Sequence, residues 1–317
     1  MSHKLQVFQT VLAFASVVLL CVFLKRRGLI REDHGPLFAQ LLTEVALPVV
    51  IFSKLATQPI APCQFLLVLA MFGAVIVCLA VSWAAGAVLK LDRPKIGALM
   101  IASSFGSSTL IGYPLIQHLF PGNPEAMADA ILISELGVGL PIFTLCVWVA
   151  MYFGEGAADT TKGRHILLDY LKSPICIALA AGLLISPWGL NPETPWLAPF
   201  FQAAAMVSES IALLACLILA LELNFRSMRG LWPLVLISAA IQMGLHPWVA
   251  NLQAGLYHLS QLPREVLVLE AAMPSAILGV VFATRYRAAP EMNAALVFSN
   301  ILLSLMAVPL AFALFCG

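Results

Sequence analysis

Apolar residues run through this sequence in long blocks, separated by short clusters of charge or by Pro and Gly. A membrane-crossing helix needs about 20 mostly apolar residues. Ten blocks meet that length, at roughly 5–24, 36–56, 64–89, 96–120, 126–153, 171–190, 196–221, 231–252, 264–284 and 292–315. The connections are short and leave no room for a soluble domain. The pattern predicts an all-α polytopic membrane protein of ten transmembrane helices. The first block is longer than the apolar core of a signal peptide and is followed by Lys25-Arg26-Arg27, a stop-transfer flank, so it reads as a retained span.

Composition agrees and excludes other classes. Of 317 residues 61% are hydrophobic and 10% charged, with a net charge of +1. Soluble domains carry roughly 25% charged residues, so this chain has too few to cover a water-facing surface. Nucleic-acid binding needs a basic stripe that is absent, and disorder does not fit so apolar a chain. The seven cysteines form no C-x-x-C pair and mostly sit inside apolar runs, as small hydrophobes. No zinc-protease H-E-x-x-H, nucleophile-elbow G-x-S-x-G or P-loop is present, so neither an enzyme nor an ATP-driven motor is expected.

The position of each charge says more than the total. Alternate connections hold Lys25, Arg26, Arg27 and Arg31; Lys90, Arg93 and Lys95; Lys162, Arg164 and Lys172; Arg226 and Arg229; Arg285 and Arg287. These are 14 of the 17 basic residues. Short Lys/Arg-rich loops stay in the cytoplasm, which places both termini outside. The longest connection, about 154–170, divides the chain into halves at 1–155 and 165–317. Five spans in each half make the second half enter the membrane upside down, the inverted-repeat plan of many secondary transporters. Ser134-Glu135 before Pro141 and Ser299-Asn300 before Pro309 are a faint trace of that symmetry.

The fourth and ninth spans are broken. The fourth reads FGSSTLIGYPLI, with Ser107, Ser108, Thr109, Gly112, Tyr113 and Pro114; the ninth reads EAAMPSAILG, with Glu270, Pro274 and Ser275. Proline removes a backbone donor and frees carbonyls that need a partner at membrane depth. Interruptions at the same place in both halves point to a midplane binding site, where helix N-termini favour an anion. Four acids, Glu44, Glu135, Glu209 and Glu270, also fall inside spans. No basic residue sits at comparable depth along the sequence, so each is expected to be protonated, to hold a cation or to see water.

Over nearly its whole length the chain resembles the auxin efflux carrier family. The matching stretches are FLKRRGLI, EVALPVVIFSKLA, FGSSTLIGYPLI, KSPICIALAAGLLIS and, most specific, EAAMPSAILGVVFATRY. The resemblance implies a fold shared with the bile acid sodium symporters, with broken helices crossing at the substrate. It further implies a scaffold of spans 1, 2, 6 and 7, a mobile transport domain of spans 3–5 and 8–10, and an elevator-like movement. A homodimer in the plasma membrane, bacterial inner membrane by the short central loop, is implied as well. Substrates in the family are small organic anions. On that basis Ser107, Ser108, Thr109, Gly112, Tyr113, Pro114, Pro274, Ser275, Glu44 and Glu209 are candidate substrate contacts. Glu270, Glu135, Ser134, Ser107 and Ser108 are candidate ligands for a coupling ion, with Na⁺ and H⁺ both open. Relatives often carry Asn where this chain has Ser107 and Glu44, and a Pro near Ser210. An ionised Glu44 or Glu209 would repel an anion. Either those acids are neutralised or the substrate is zwitterionic or cationic.

Overall fold

The computed structural model describes residues 16–57, 65–108, 112, 115–116, 119–120, 123–155, 172–223 and 230–315. Among these residues the protein is helical and contains no strand. Helix α1 covers residues 16–26. Helix α2 runs from Gly35–Leu41 through a widened turn, Leu42–Ala46, into Leu47–Thr57; α3 is Phe65–Val88 and α4 is Arg93–Ser104. Helix α5 begins at Pro124–Leu132, passes two widened turns and ends at Val147–Phe153. Helices α6 (Pro174–Ile185) and α7 (Ala198–Glu222) follow, and α8 joins Trp232–Ala240 to His246–Leu256 through Ile241–Leu245. Two short helices, α9 (Gln261–Ala271) and α10 (Leu278–Tyr286), precede α11 (Pro290–Phe315).

Among the described residues six helices are long and apolar enough to cross a membrane, within Gly35–Ser53, Phe65–Val88, Ala128–Phe153, Ala198–Leu221, Trp232–Leu256 and Pro290–Ala311. The difference from ten apolar blocks has local causes. The fourth and ninth blocks are interrupted at Phe105 and Ala272, the sixth gives the shorter apolar helix Pro174–Trp188, and residues 1–15 lie outside the described ones. Side chains such as Leu184, Met206, Leu236 and Met306 point outward and are exposed. An apolar outer surface of this kind suits lipid rather than water.

Local chemistry sets the helix ends. Asn123 Oδ1 accepts the N–H groups of Glu125 and Ala126 at 3.1 and 3.2 Å, with Pro124 in the first turn of α5. Ser173 Oγ accepts from Cys176 N at 3.2 Å ahead of Pro174 in α6. These are N-caps with a proline where its missing N–H costs nothing. Three of the four widened turns share a cause: Leu42–Ala46, Ile133–Gly139 and Ile241–Leu245 end just before Pro48, Pro141 and Pro247, whereas Ile142–Cys146 directly follows Pro141. A proline ring collides with the carbonyl four residues back. Widening the turn relieves that contact, so Leu47 N–H reaches Leu42 O and His246 N–H reaches Ile241 O.

The helices pack in two groups. The Leu47–Thr57 part of α2 lies against α6 and α7, and Lys25 at the end of α1 donates to Leu221 O at 2.6 Å, capping α7. In the other group α3 contacts α4, α5 and α8; α9 lies on α8; and α11 lies on α4, α8 and α10. Helix α10 also meets α7 and the first part of α2, so it stands at the seam between the groups.

Candidate functional site

The two broken helices meet at their breaks. After Ser104 the backbone of Phe105 becomes extended (φ −123°, ψ 117°), and Gly106 pairs antiparallel with Ser275. Ser107 N–H donates to Pro274 O at 2.7 Å, and Ala276 N–H donates to Phe105 O at 2.8 Å. Each break thereby supplies partners that the other leaves unmet, which membrane depth demands. Gly106 allows the close approach: a Cβ there would stand 3.2 Å from Gln242 Nε2 and 3.3 Å from Met273 O, a tight fit.

Side chains from neighbouring helices hold this crossing. Ser275 Oγ donates to Ala102 O near the end of α4. That commits its hydrogen, so its oxygen accepts from Asn300 Nδ2 at 2.7 Å; the same amide nitrogen donates to Ser238 Oγ at 2.9 Å. Gln242 Nε2 donates to Met273 O at 3.0 Å and lies 3.3 Å from His246 Nδ1. A carbonyl only accepts, which fixes the orientation of the Gln242 amide. Ser238, Gln242 and His246 recur every four residues and form one buried polar stripe on α8. Asn293 Nδ2 does similar work on α4, donating to Ala98 O at 2.9 Å. Gln242 and Asn293 are site-supporting residues that sequence reasoning passed over. The signal for Gln242 was an amide in the interior of an apolar block, whereas Asn293 stands at the edge of one.

Of the candidate contacts, Ser107, Pro274 and Ser275 come together at the crossing itself. Ser134 Oγ on α5 donates to Ser108 Oγ at 3.2 Å, joining two candidate coupling-ion ligands. Glu270, in the last turn of α9, is 1% exposed. Its carboxylate faces Gly112, where a Cβ would stand 2.6 Å from both oxygens. The breaks therefore assemble two polar groupings, Ser108 with Ser134 and Gly112 with Glu270. Thr109, Tyr113 and Pro114 lie outside the described residues, as does the side chain of Glu135, whose backbone forms part of the widened turn Ile133–Gly139. Among the described residues no cluster of three or more His, Cys, Asp or Glu residues is arranged to hold a metal ion.

The other two acids are placed differently from one another. Glu209 is exposed on α7 and is not brought to the crossing by any hydrogen bond among the described residues. Glu44 lies in the widened turn of α2, and its Oε1 accepts from Arg285 Nη2 at 2.6 Å. The expectation that no basic residue is placed to neutralise Glu44 is therefore corrected, since Arg285 pairs with it. Arg285 ends a helix at the seam, and an arginine on a helix leans toward the N-terminus, here toward the break. Glu44 carries a counter-ion and does not present a bare negative charge.

The profile of the family described as Membrane transport protein matches residues 6–169. Over 308 residues the chain is 24% identical to an uncharacterized transporter of Methanocaldococcus jannaschii, covering 95% of this chain and 96% of that one. An uncharacterized transporter of Methanothermobacter thermautotrophicus is 25% identical over 309 residues, at 95% and 96% coverage. The uncharacterized transporter YfdV of Escherichia coli is 22% identical over 274 residues, 85% of each chain.

Proposed function

The chain belongs to the membrane transport protein family, and from that premise we propose that it is a secondary active transporter of a small organic anion, a mono- or dicarboxylate. The observation that carries this reading is the antiparallel crossing at Gly106 and Ser275, held by Ser107 N–H on Pro274 O at 2.7 Å. A break in each of two helices costs backbone hydrogen bonds and is not needed for packing alone. It supplies what a transport site needs, unwound backbone and helix ends aimed at one point. The Arg285 counter-ion on Glu44 at 2.6 Å favours an anion over a cation, since it removes the repulsion the sequence had suggested.

The proposed movement is elevator-like, with ten spans in two inverted halves. Helices α1, α2, α6 and α7 would form the scaffold, and the group around α3–α5 and α8–α11 would slide along it. The packing of α2 on α6 and α7, and of α3 on α4, α5 and α8, supports the division, with α10 and α11 meeting α7 along the seam. Glu270 is the proposed coupling residue, with hydroxyls of Ser107, Ser108 and Ser134 and the carboxylate of Glu135 as further ligands for Na⁺, or with a carboxyl that titrates if H⁺ is coupled. The proposed setting is a homodimer in the plasma membrane with both termini outside.

Uptake into proteoliposomes tests the reading. Labelled malonate and malate are offered against an amino acid and a quaternary amine, under an imposed Na⁺ or pH gradient. Carboxylate uptake driven by one of the gradients, and uncoupled from it in Glu270→Gln, is the expected result. Uptake of the amine or amino acid alone would overturn the anion assignment. Fully coupled transport in Glu270→Gln would remove Glu270 from the coupling site.

A further inference from the structure

The ion pair between Glu44 and Arg285 joins residues 241 apart in sequence, across the seam between the two packing groups. Three features set it apart from a structural staple. It is end-on, with one guanidinium nitrogen on one carboxylate oxygen at 2.6 Å, and the other N–H groups of Arg285 meet no acceptor among the described residues. A guanidinium offers five donors in a fork that fits a carboxylate through two parallel bonds, so most of this binding capacity is unused. The pair is open on one side, the side chains of Arg285 and Glu44 being 34% and 40% exposed. Exchanging one carboxylate for another on the same guanidinium keeps the charge paired, so no bare ion is left behind. Finally, Arg285 belongs to the helix that leaves the break at Ala272–Ile277, while Glu44 sits in a turn widened by Pro48, outside regular α-helix. In the elevator reading the cation rides on the sliding group and its partner acid stays on the scaffold.

We propose that Arg285 is a binding residue for the carboxylate of the transported anion, and that Glu44 is an internal stand-in that occupies the guanidinium when no substrate is present. This rests on the organic-anion reading. Glu44 and the substrate then compete for one cation. The seam never holds a bare positive charge, and an arriving carboxylate takes over the forked geometry that Glu44 uses only in part.

The two partners give opposite signs, which a staple cannot do. Removing the stand-in with Glu44→Gln frees Arg285 and tightens carboxylate binding, by up to about fivefold for an exposed pair. Removing the cation with Arg285→Gln weakens binding by about ten- to a hundredfold, the range of a hydrogen bond to a charged group. The experiment titrates malonate, and separately malate, onto purified protein in detergent at fixed ionic strength. The concentration that gives half of the maximal thermal stabilisation is read for each variant. Arg285→Lys keeps the charge without the fork and is expected to lie between wild type and Arg285→Gln. It serves as the measurement if Arg285→Gln does not fold. In the Arg285→Gln background Glu44→Gln has no guanidinium to free and removes only an unpaired repelling charge, so it should not bring affinity back to the wild-type value. Shifts in the same direction for the two single variants, no shift in either, or wild-type affinity in Arg285→Lys would overturn the proposal while leaving the anion reading in place. Wild-type protein stabilised by neither carboxylate would overturn both.

Discussion

Glu270 and Gly112 offer a quantitative test of how the breaks are packed. A Cβ built on Gly112 stands 2.6 Å from each carboxylate oxygen of Glu270 and 2.9 Å from its Cδ, closer than side-chain carbons approach other atoms in folded proteins. Elsewhere a flexible side chain would swing aside. Glu270 is 1% exposed in the last turn of α9, so there is no solvent to swing into, and the crossing would have to shift instead. Overpacking of this kind costs about 1–3 kcal/mol. Glu270→Ala has its own cost but opens the space that the methyl group introduced by Gly112→Ala would fill. In the double variant Gly112→Ala/Glu270→Ala the two losses should therefore be less than additive, with a coupling of about 1 kcal/mol or more. The measurement is a double-mutant cycle of unfolding free energies, from SDS titration in mixed micelles followed by tryptophan fluorescence. Sites that do not touch add to within about 0.5 kcal/mol. Additivity at that level would show that Gly112 and Glu270 are not in contact and would sink the packing argument.

Two further outcomes follow from the same structure. Asn300→Ala removes the donor that serves both Ser238 Oγ at 2.9 Å and Ser275 Oγ at 2.7 Å, and intramembrane hydrogen bonds of this type average about 0.6 kcal/mol and reach about 1.7. A loss of about 1–3 kcal/mol is expected in the same titration, and Asn300→Asp, which lacks the N–H donor, should not restore it. Lys25→Met uncaps the end of α7, where Nζ donates to Leu221 O at 2.6 Å, and should cost about 0.5–2 kcal/mol; an unchanged value would mean that the cap is not made in the micelle.

Much of this architecture was legible in the sequence because its causes are local. Apolar block length marks where chain enters lipid, and Pro and Gly mark where a helix fails. FGSSTLIGYP and EAAMPSA therefore locate both breaks on their own. What answers each break is not local. Ser275 reaches Ala102 across 173 residues, Asn300 reaches Ser238 across 62, and Gln242 reaches Met273 across 31. An amide inside an apolar block declares that it needs a partner without saying which. Gln242 went unread for that reason, although the four-residue spacing of Ser238, Gln242 and His246 marks one face of a helix; Asn293, at the edge of its block, gave even less signal.

Arg285 was missed as the partner of Glu44 for a different reason. Along the chain it neighbours Arg287 and a connection, which reads as the membrane surface. Depth in a membrane is a property of the charged atom, and an arginine side chain carries its guanidinium several ångströms from its Cα, back along the helix toward the N-terminus. In α10 that direction runs toward the break, and the charge meets Glu44 at 2.6 Å. The same geometry explains why Glu44 is tolerable within an apolar block. An isolated charge at the bilayer centre costs at least about 2.5–3.5 kcal/mol, and a partner supplied from the end of another helix lowers that cost without a second charge in the block itself. Glu44, which looks misplaced along the sequence, is accounted for in space by Arg285 from another helix. Because they belong to different packing groups, any sliding of one group on the other must exchange or break their contact.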